Sequence, residues 1–251
     1  MSNIYLFGFG NLGRHLASFF LSRGIKISGI FTEQEQAHTQ ITLFKRIQVN
    51  QIVKSGDILF VTTNDDALID VINGIANPEV VKIICSGAKR LSDFNENGLL
   101  GVWYPLYSFS KDFEINWNKV PIFIEYRDSI SETALKKINE KLGIETRVLN
   151  SENRSKLHLA AVFANNFVNA CMIASHEILS GNNQVNFMDL LPIIEQTVAK
   201  VKVNNPLVCQ TGPAKRNDIL TMQRHLEMLD SMKGESEVYD KFSQYIQQKL
   251  N

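Results

Sequence analysis

The sequence has no surplus of either charge and little cysteine. Lysine and arginine number 26, as do aspartate and glutamate, so the formal net charge is zero. Nucleic-acid-binding proteins usually carry a basic excess, so no nucleic-acid partner is expected. The three cysteines, Cys85, Cys171 and Cys209, are widely spaced in apolar settings. That spacing argues against a disulfide framework or a zinc site, and no metal is expected.

Long hydrophobic runs are also missing. No uninterrupted stretch of 18 apolar residues occurs, and the first residues lack the basic and apolar arrangement of a signal peptide. We therefore expect a reduced, cytoplasmic protein with no membrane partner. The 251 residues are 44% hydrophobic, which is enough for one large domain or two moderate ones.

A glycine motif lies near the start of the chain, between a short apolar run and apolar residues at helical spacing. Its Gly-x-Gly-x-x-Gly spacing, in the order strand, turn and helix, is typical of dinucleotide binding. Gly8 permits the turn, Gly10 lets a pyrophosphate approach, and Gly13 lets helix and strand pack closely. An empty scaffold of the same shape is the alternative. The predicted cofactor contacts here are Gly8, Gly10, Asn11, Leu12 and Gly13.

Strand and helix patterns alternate through residues 1–150. This alternation predicts an α/β domain with a doubly wound, Rossmann-like parallel sheet. After the first strand, the predicted strands are 25–31, 57–63, 80–87, 101–105, 121–125 and 146–149, with helices at 67–76 and 131–142, the latter ended by Gly143.

Polar residues follow several of these strands, at the carboxyl ends where open α/β sheets bind ligands. Thr62, Thr63 and Asn64 follow the strand at 57–63, and Ser86 and Gly87 follow the strand at 80–87. All five are predicted to contact the cofactor. For Asn64, a helix N-cap is the alternative.

The end of the strand at 25–31 bears on the choice of cofactor. An acidic residue here binds the ribose 2′-hydroxyl of NAD, whereas an arginine accepts the 2′-phosphate of NADP. Thr32 and Glu33 are the candidates, and Glu33 favours NAD unless it is an exposed loop carboxylate. Lys45 and Arg46 come later and could fold back, so NAD and NADP both remain open.

Helical periodicity replaces the alternation beyond residue 150. It predicts an all-α domain at 151–251 with helices at 155–179, 187–201, from 218 to about 232, and 238–250. Pro192 indicates either a kink in the second of these helices or a start one turn further in.

The first of these helices carries an imidazole and several amides. On a regular helix, His158, Val162, Asn165 and Asn169 share one face, and Asn166 lies near its edge. Polar groups in an apolar segment need partners when buried. Those partners are either structural, across a helix or dimer interface, or a cofactor and substrate in the crevice. His158 is the predicted general acid or base, because imidazole titrates near neutral pH.

A polar loop at 211–218 supplies further substrate candidates. Thr211 and Arg216 suit an acid or carbonyl group of a substrate, and Asp218 lies on one helix face with His225. Asp218 is equally well explained as an ordinary carboxylate in a first helical turn. The predicted substrate contacts are Asn166, Asn169, Thr211, Arg216 and Asp218, and Asn165 and Ser86 are predicted to assist His158 in catalysis.

Longer motifs match a known family across nearly the whole chain. They are Gly8-Phe-Gly-Asn-Leu-Gly13, Cys85-Ser-Gly-Ala88, the segment 104–110, His158-Leu-Ala-Ala-Val-Phe-Ala-Asn-Asn-Phe167, and the loop 211–218 with His225-Leu226. The chain resembles a poorly characterised family of NAD(P)-binding oxidoreductases with a Rossmann-like N-terminal domain and a helical C-terminal domain of unassigned function. The resemblance implies a fold related to pyrroline-5-carboxylate reductase and the 6-phosphogluconate dehydrogenases, and a homodimer formed through the helical domain.

Three departures from the family pattern bear on the site. Relatives often have a catalytic lysine with an asparagine four residues later, where this chain has Lys156 and Ala160, so His158 would serve instead. Many members have histidine before the proline of the 101–105 strand, where this chain has Tyr104. NADP-using relatives commonly have serine and arginine at the positions that Thr32 and Glu33 occupy in this chain.

The sequence therefore supports two hypotheses about function. The first is an NAD- or NADP-dependent oxidoreductase that transfers hydride to or from a small polar keto acid, hydroxy acid or imine. The alternative is a non-catalytic dinucleotide-binding sensor.

Overall fold

The computed structural model describes residues 2–33, 41–95 and 97–250. The chain divides into two compact units, Met1–Asn166 and Phe167–Asn251, and each is described by itself. The predicted division at residue 150 stays a prediction.

The first unit is built on a single eight-stranded sheet with the order β3-β2-β1-β4-β5-β6-β7-β8. The strands are β1 (Ile4–Phe7), β2 (Gly29–Phe31), β3 (Leu43–Phe44), β4 (Ile58–Val61), β5 (Val81–Ile84), β6 (Leu100–Pro105), β7 (Ile122–Tyr126) and β8 (Thr146–Val148). Every residue of β4 and β5 is buried, as expected for parallel strands covered on both faces. The predicted Rossmann-like fold is confirmed.

Helices cover both faces of this sheet. The helices of the first unit are α1 (Asn11–Ser22), α2 (Val49–Ile52), α3 (Asp65–Asn73), α4 (Ser129–Leu142) and α5 (Ser151–Ala161). Apolar residues of α1 and α4 belong to one core cluster, and those of α2 and α3 belong to the other. Gly143 ends α4 in the left-handed region at φ +63°, as predicted.

Two features of the sheet differ from the prediction. β7 pairs with β6 in the antiparallel sense, because the connection between them contains only the 3₁₀ turn Trp117–Lys119 and no crossover helix. β3 was not predicted, since a strand of two residues has no detectable alternation.

The helix that begins at Ser151 differs from the regular helix predicted at 155–179. It starts one turn earlier, where the Asn150 side chain accepts a bond from the Asn153 N–H, and residues Val162–Phe167 form a π-helical segment. The helical stretch Ser151–Ile178 contains an 18-residue window of mean hydropathy 1.4, enough by length and composition to cross a membrane. This stretch contains no uninterrupted run of 18 apolar residues, because amide and histidine side chains interrupt it. One such helix is not enough to indicate a membrane protein.

The second unit is helical in its described residues. Its helices are α6 (Val168–Ile178), α7 (Leu191–Val203), α8 (Pro206–Cys209), α9 (Ile219–Met228) and α10 (Lys233–Leu250). Pro192 lies in the first turn of α7, so it marks the helix start and no kink. Many large apolar side chains of this unit are exposed in the single chain, among them Ile173, Met188, Ile193, Val198, Val203, Leu207 and Val208.

Candidate functional site

The glycine turn between β1 and α1 has the close contacts that its spacing predicts. Gly8 has φ +101°, and its N–H donates to the Phe31 carbonyl at 2.9 Å. A Cβ at position 13 would lie 2.6 Å from the Gly8 carbonyl oxygen and 2.8 Å from Thr62 Oγ1. The absence of a side chain at Gly13 therefore lets α1 pack directly on the turn.

The start of α1 is open to a ligand. A Cβ at Gly10 would meet nothing within 4 Å, no side chain caps the helix, and its first turn carries no acidic residue. Asn11 is exposed and donates to the Phe109 carbonyl, and Leu12 is half-buried. Uncapped N–H groups at a helix start bind phosphate well, so this turn fits a pyrophosphate.

The end of β4 lies beside this turn. Thr62 Oγ1 donates to the Gly8 carbonyl at 3.0 Å, so this residue supports the turn. The hydroxyl of Thr63 is buried and has no hydrogen-bond partner within the described ranges. Asn64 occupies the N-cap position of α3, but its side chain makes no capping bond. Thr63 and Asn64 thus have unused polar groups where a dinucleotide would lie.

The end of β2 brings Arg46 back toward the site. The Glu33 carboxylate accepts a bond from the Arg46 N–H at 3.2 Å, and the Arg46 guanidinium lies 5.6 Å from the Phe7 ring centroid. Arg46 Nε is buried and lacks a partner in the part of the chain that the structure describes. Thr32 is buried, with its N–H on the Phe44 carbonyl. Of the two later cations that the sequence left open, Arg46 is therefore close to Glu33 at the end of β2.

A tyrosine and a histidine meet over the loop that follows β5. The Tyr104 hydroxyl lies 3.0 Å from His158 Nδ1. A Cβ at Gly87 would lie 2.6 Å from His158 Nδ1 and 2.7 Å from Tyr104 Cζ. Gly87, predicted to contact the cofactor, is thus also the residue that lets this pair approach the loop.

Burial determines the protonation of Tyr104 in this pair. Tyr104 is 7% exposed, and burial raises the pKa of its hydroxyl to about 12, with a further upward contribution from Asp65 and an opposing one from Arg154. The hydroxyl therefore keeps its proton near neutral pH. It donates to Nδ1 when a neutral His158 carries its own proton on Nε2, and it accepts from Nδ1–H in the other tautomer. No residue of the described chain accepts from Nε2.

The neighbouring Ser86 has a local structural contact. Its buried hydroxyl oxygen accepts from the N–H groups of Ala88 and Lys89, at 3.1 and 2.9 Å. These two bonds hold the loop that contains Gly87. The predicted catalytic role of Ser86 stays a prediction.

The π-helical segment places two amides in the same cleft as the pair. A cleft of about 660 Å³ is lined by Tyr104, His158, Asn165 and Asn166, among others. On a regular helix Asn166 would lie only at the edge of the His158 face, but the wider π turn brings both amides to the cleft.

A buried ion pair fixes the first turn of α5. The Arg154 side chain, 1% exposed, pairs with Glu125 at the end of β7 and donates to the Lys89 carbonyl. Glu125 also accepts the Ser151 N–H at 2.8 Å. His158 follows one turn after Arg154, so these contacts set its position. Sequence reasoning missed Arg154, because no motif marks a partner 29 residues from Glu125.

The remaining predicted substrate residues lie in the second unit. The Asp218 carboxylate caps α9 by accepting from the Thr221 N–H and hydroxyl, and these bonds lower its pKa. This is the local role that the sequence left open for Asp218. Thr211, Arg216 and Asn169 are exposed within this unit. Their substrate roles stay predictions.

The described residues contain no group of three or more histidine, cysteine or acidic side chains that could hold a metal ion.

A family model, Domain of unknown function (DUF2520), matches residues 120–246. The chain belongs to this family. The matched region of the DUF2520 protein includes Glu125, Arg154 and His158. Comparison with curated proteins gives no match.

Solved structures are similar to the DUF2520 chain over almost its whole length. A Bacteroides fragilis protein, described as a candidate NADP oxidoreductase, has a TM-score of 0.88 at 28% identity over 98% of each chain. A Thermotoga maritima protein has a TM-score of 0.68 at 23% identity, covering 98% of this chain and 97% of that one. Plasmodium falciparum pyrroline carboxylate reductase with NADP bound has a TM-score of 0.57 at 13% identity, covering 98% and 100%.

The anchoring of α5 gives a stability prediction for the DUF2520 protein. Arg154→Met should lower the free energy of unfolding by about 3 kcal/mol or more, because it leaves the Glu125 charge without its buried partner. Lys156→Met is the matched control, since it removes an exposed pair with Glu152 on the same helix and should cost about 0.5 kcal/mol or less. Urea denaturation of both variants measures the difference. Equal losses would contradict the anchoring role of Arg154.

Proposed function

We propose that the protein is an NAD(P)-dependent oxidoreductase in which Tyr104 and His158 supply a proton. The observation that carries the proposal is the hydrogen-bonded Tyr104–His158 pair beside Gly87, at the strand edge that also bears the open turn at Gly10. The unused polar groups of Thr63 and Arg46 support a bound dinucleotide at this edge. The likeness to a Bacteroides fragilis protein described as a candidate NADP oxidoreductase supports the same activity.

The proposed roles depend on the tautomer in which Tyr104 donates to Nδ1 and His158 carries its proton on Nε2. When bound, the nicotinamide supplies or accepts hydride. In the reductive direction, His158 Nε2–H donates to the carbonyl oxygen or imine nitrogen. As basicity develops on that atom, the Nε2 proton moves to it and the Tyr104 proton follows to Nδ1. Asn165 and Asn166 hydrogen-bond the polar groups of the substrate and orient it in the cleft.

The proposed substrates are small keto acids, hydroxy acids or imines. A cleft of about 660 Å³ lined by hydroxyl and amide groups suits a small polar molecule. The fold likeness to pyrroline carboxylate reductase is consistent with this class. We also propose that the protein is related to the pyrroline-5-carboxylate reductases and the 6-phosphogluconate dehydrogenases. Its proposed location is the cytoplasm.

We propose NADP as the preferred cofactor. The Arg46 guanidinium lies over the Phe7 ring, close to the end of β2 where a ribose 2′-phosphate binds in this fold. Arginine forms strong bidentate bonds with phosphate. The Glu33 carboxylate, which favours NAD in the sequence, already accepts the Arg46 N–H.

We also propose a homodimer formed through the second unit. Its exposed side chains include Ile193 at 62%, Val203 at 78% and Val208 at 71%. An apolar surface of this extent on a soluble chain is typical of a protein interface. A second copy of the chain is the proposed occupant, because two-fold homodimers are the commonest assemblies of soluble proteins.

Turnover assays test the proposed reaction. The purified protein should oxidise NADPH with at least one member of a panel of 2-keto acids and cyclic imines. Tyr104→Phe should lower kcat about 100-fold, because it removes the proton source and the group that fixes the His158 tautomer. Tyr107→Phe is the matched control, since Tyr107 lines the same cleft but is 51% exposed, and its kcat should change less than about twofold.

Two results would count against this reaction. Full activity in Tyr104→Phe would remove Tyr104 from the proton path. Tight NADPH binding without turnover of any substrate in the panel would favour the non-catalytic sensor.

Binding titrations test the choice of cofactor. Arg46→Ala should weaken NADPH binding about tenfold or more and leave NADH binding nearly unchanged, because only NADPH carries the 2′-phosphate. Lys45→Ala, at the exposed neighbouring position, is the control. An equal loss for both nucleotides would contradict the proposed contact.

Analytical ultracentrifugation tests the homodimer. The wild-type protein should sediment with twice the mass of one chain, and Ile193→Lys should shift it toward the monomer by placing a charge in the interface. Gln51→Lys introduces the same charge at an exposed polar position of α2 in the first unit and should keep the dimer. A monomeric wild-type protein would contradict the proposal.

A further inference from the structure

A lysine lies inside the otherwise apolar strand β5. The Lys82 side chain is 3% exposed, and its ammonium makes no hydrogen bond or ion pair with any residue of the described ranges. Placing a charged group among buried side chains without a partner is costly, and most such charges in proteins are paired. The Lys82 ammonium is not among the fully buried atoms that lack a partner, so it is accessible from the cleft that the side chain lines.

Lys82 lines a cleft of about 550 Å³ at the amino edge of the parallel strands. The cleft lies between the end of α3, the loop before β6 and the end of β7. Its polar lining is Asn73, Asn95, Asn97, Lys82 and Arg127, and its apolar wall includes Ile72, Ile75, Pro78 and Leu100. No acidic residue belongs to this lining among the described residues.

The second cation of the cleft is held in a fixed position. The Arg127 guanidinium donates to the carbonyls of Asn95 at 2.6 Å, Leu91 at 2.5 Å and Phe94 at 3.3 Å. These bonds fix the loop before β6 and keep the arginine charge near Lys82. Burial lowers the pKa of the Lys82 ammonium, and the Arg127 charge lowers it further.

The described carboxylate that acts on Lys82 is that of Asp128, and it is engaged elsewhere. Asp128 has a stabilising electrostatic effect on the ammonium, but no salt bridge joins them. Its oxygens accept from the Ser131 N–H at 2.7 Å, the Ser131 hydroxyl at 2.8 Å and the Leu100 N–H at 3.2 Å. Among residues 2–33, 41–95 and 97–250, the positive charge of the cleft is thus left without a paired anion.

Gly98 makes room for the ammonium. It has φ +107°, and a Cβ there would lie 2.6 Å from Lys82 Nζ and 3.3 Å from the Pro78 carbonyl oxygen. A side chain at this position would therefore be strained and would displace the ammonium.

We propose that this cleft binds a small oxyanion, the carboxylate or phosphate group of a metabolite, through Lys82 and the amides beside it. Oxyanions form charge-assisted bonds with an ammonium, and the amide N–H groups of asparagine complete their coordination. The apolar wall receives the carbon skeleton of the ligand. The glycine turn at Gly8 lies at the carboxyl edge of the same sheet, so this is a second site that does not overlap the dinucleotide position.

Calorimetric titration of the full chain tests the proposal with two probes, inorganic phosphate and succinate. The wild-type protein should bind at least one of them, and Lys82→Met should weaken that binding about tenfold or more. Lys26→Met, at an exposed position remote from the cleft lining, is the control and should bind as the wild type does. The probe that binds distinguishes a phosphate site from a carboxylate site.

The same variants address folding and nonspecific binding. Without added anion, Lys82→Met should unfold at a higher temperature than the wild type, because it removes a charge from a buried side chain that has no ion-pair partner among the described residues. Lys82→Gln provides a second neutral variant if methionine does not fit.

Phosphate also suits the helix start at Gly10, so unchanged binding in both Lys82 variants would place the anion elsewhere and overturn the proposal. Failure of the wild type to bind either probe would overturn it as well.

Discussion

The position of the candidate catalytic histidine depends on one buried ion pair, between Arg154 and Glu125. Glu125 belongs to a strand and Arg154 to the first turn of the helix that follows the sheet. The same guanidinium reaches the carbonyl of Lys89 in the loop that holds Gly87. Three chain segments thus meet at one cation. As a result, His158, one turn further along α5, lies within hydrogen-bond distance of Tyr104.

Apolar packing and buried polar contacts have different roles in this arrangement. The two apolar clusters on the sheet faces stabilise the layers, but apolar packing alone does not fix a helix to within a hydrogen-bond length. The ion pair and the bonds of Ser151 provide directional contacts at the point where the helix leaves the sheet. A tyrosine–histidine distance of 3.0 Å requires that kind of control.

Much of the first unit can be predicted from the sequence, because its strands are short apolar runs bounded by turn residues. The glycine turn was predicted residue by residue, since Gly8 and Gly13 have steric reasons to lack a side chain. The antiparallel β7 could not be predicted, because direction depends on the connecting segment and not on the strand's own residues. Arg46 and Arg154 act through long-range contacts, which local periodicity does not reveal. Tyr104 was noticed only as a departure from a family pattern, and its pairing with His158 required the fold.

The π-helical segment Val162–Phe167 has a consequence for how such a site changes over evolution. A π turn contains one residue more than an α turn, so it is equivalent to a single-residue insertion absorbed within a helix. Removing one residue there would restore regular α geometry and leave the helix beyond the turn in register, while the side chains inside the turn would shift around the helix by up to one residue, about 100°. One amide would then leave the cleft beside His158 while the helix stayed intact. A one-residue change in length is therefore a short route by which related chains could alter the polar lining of this cleft.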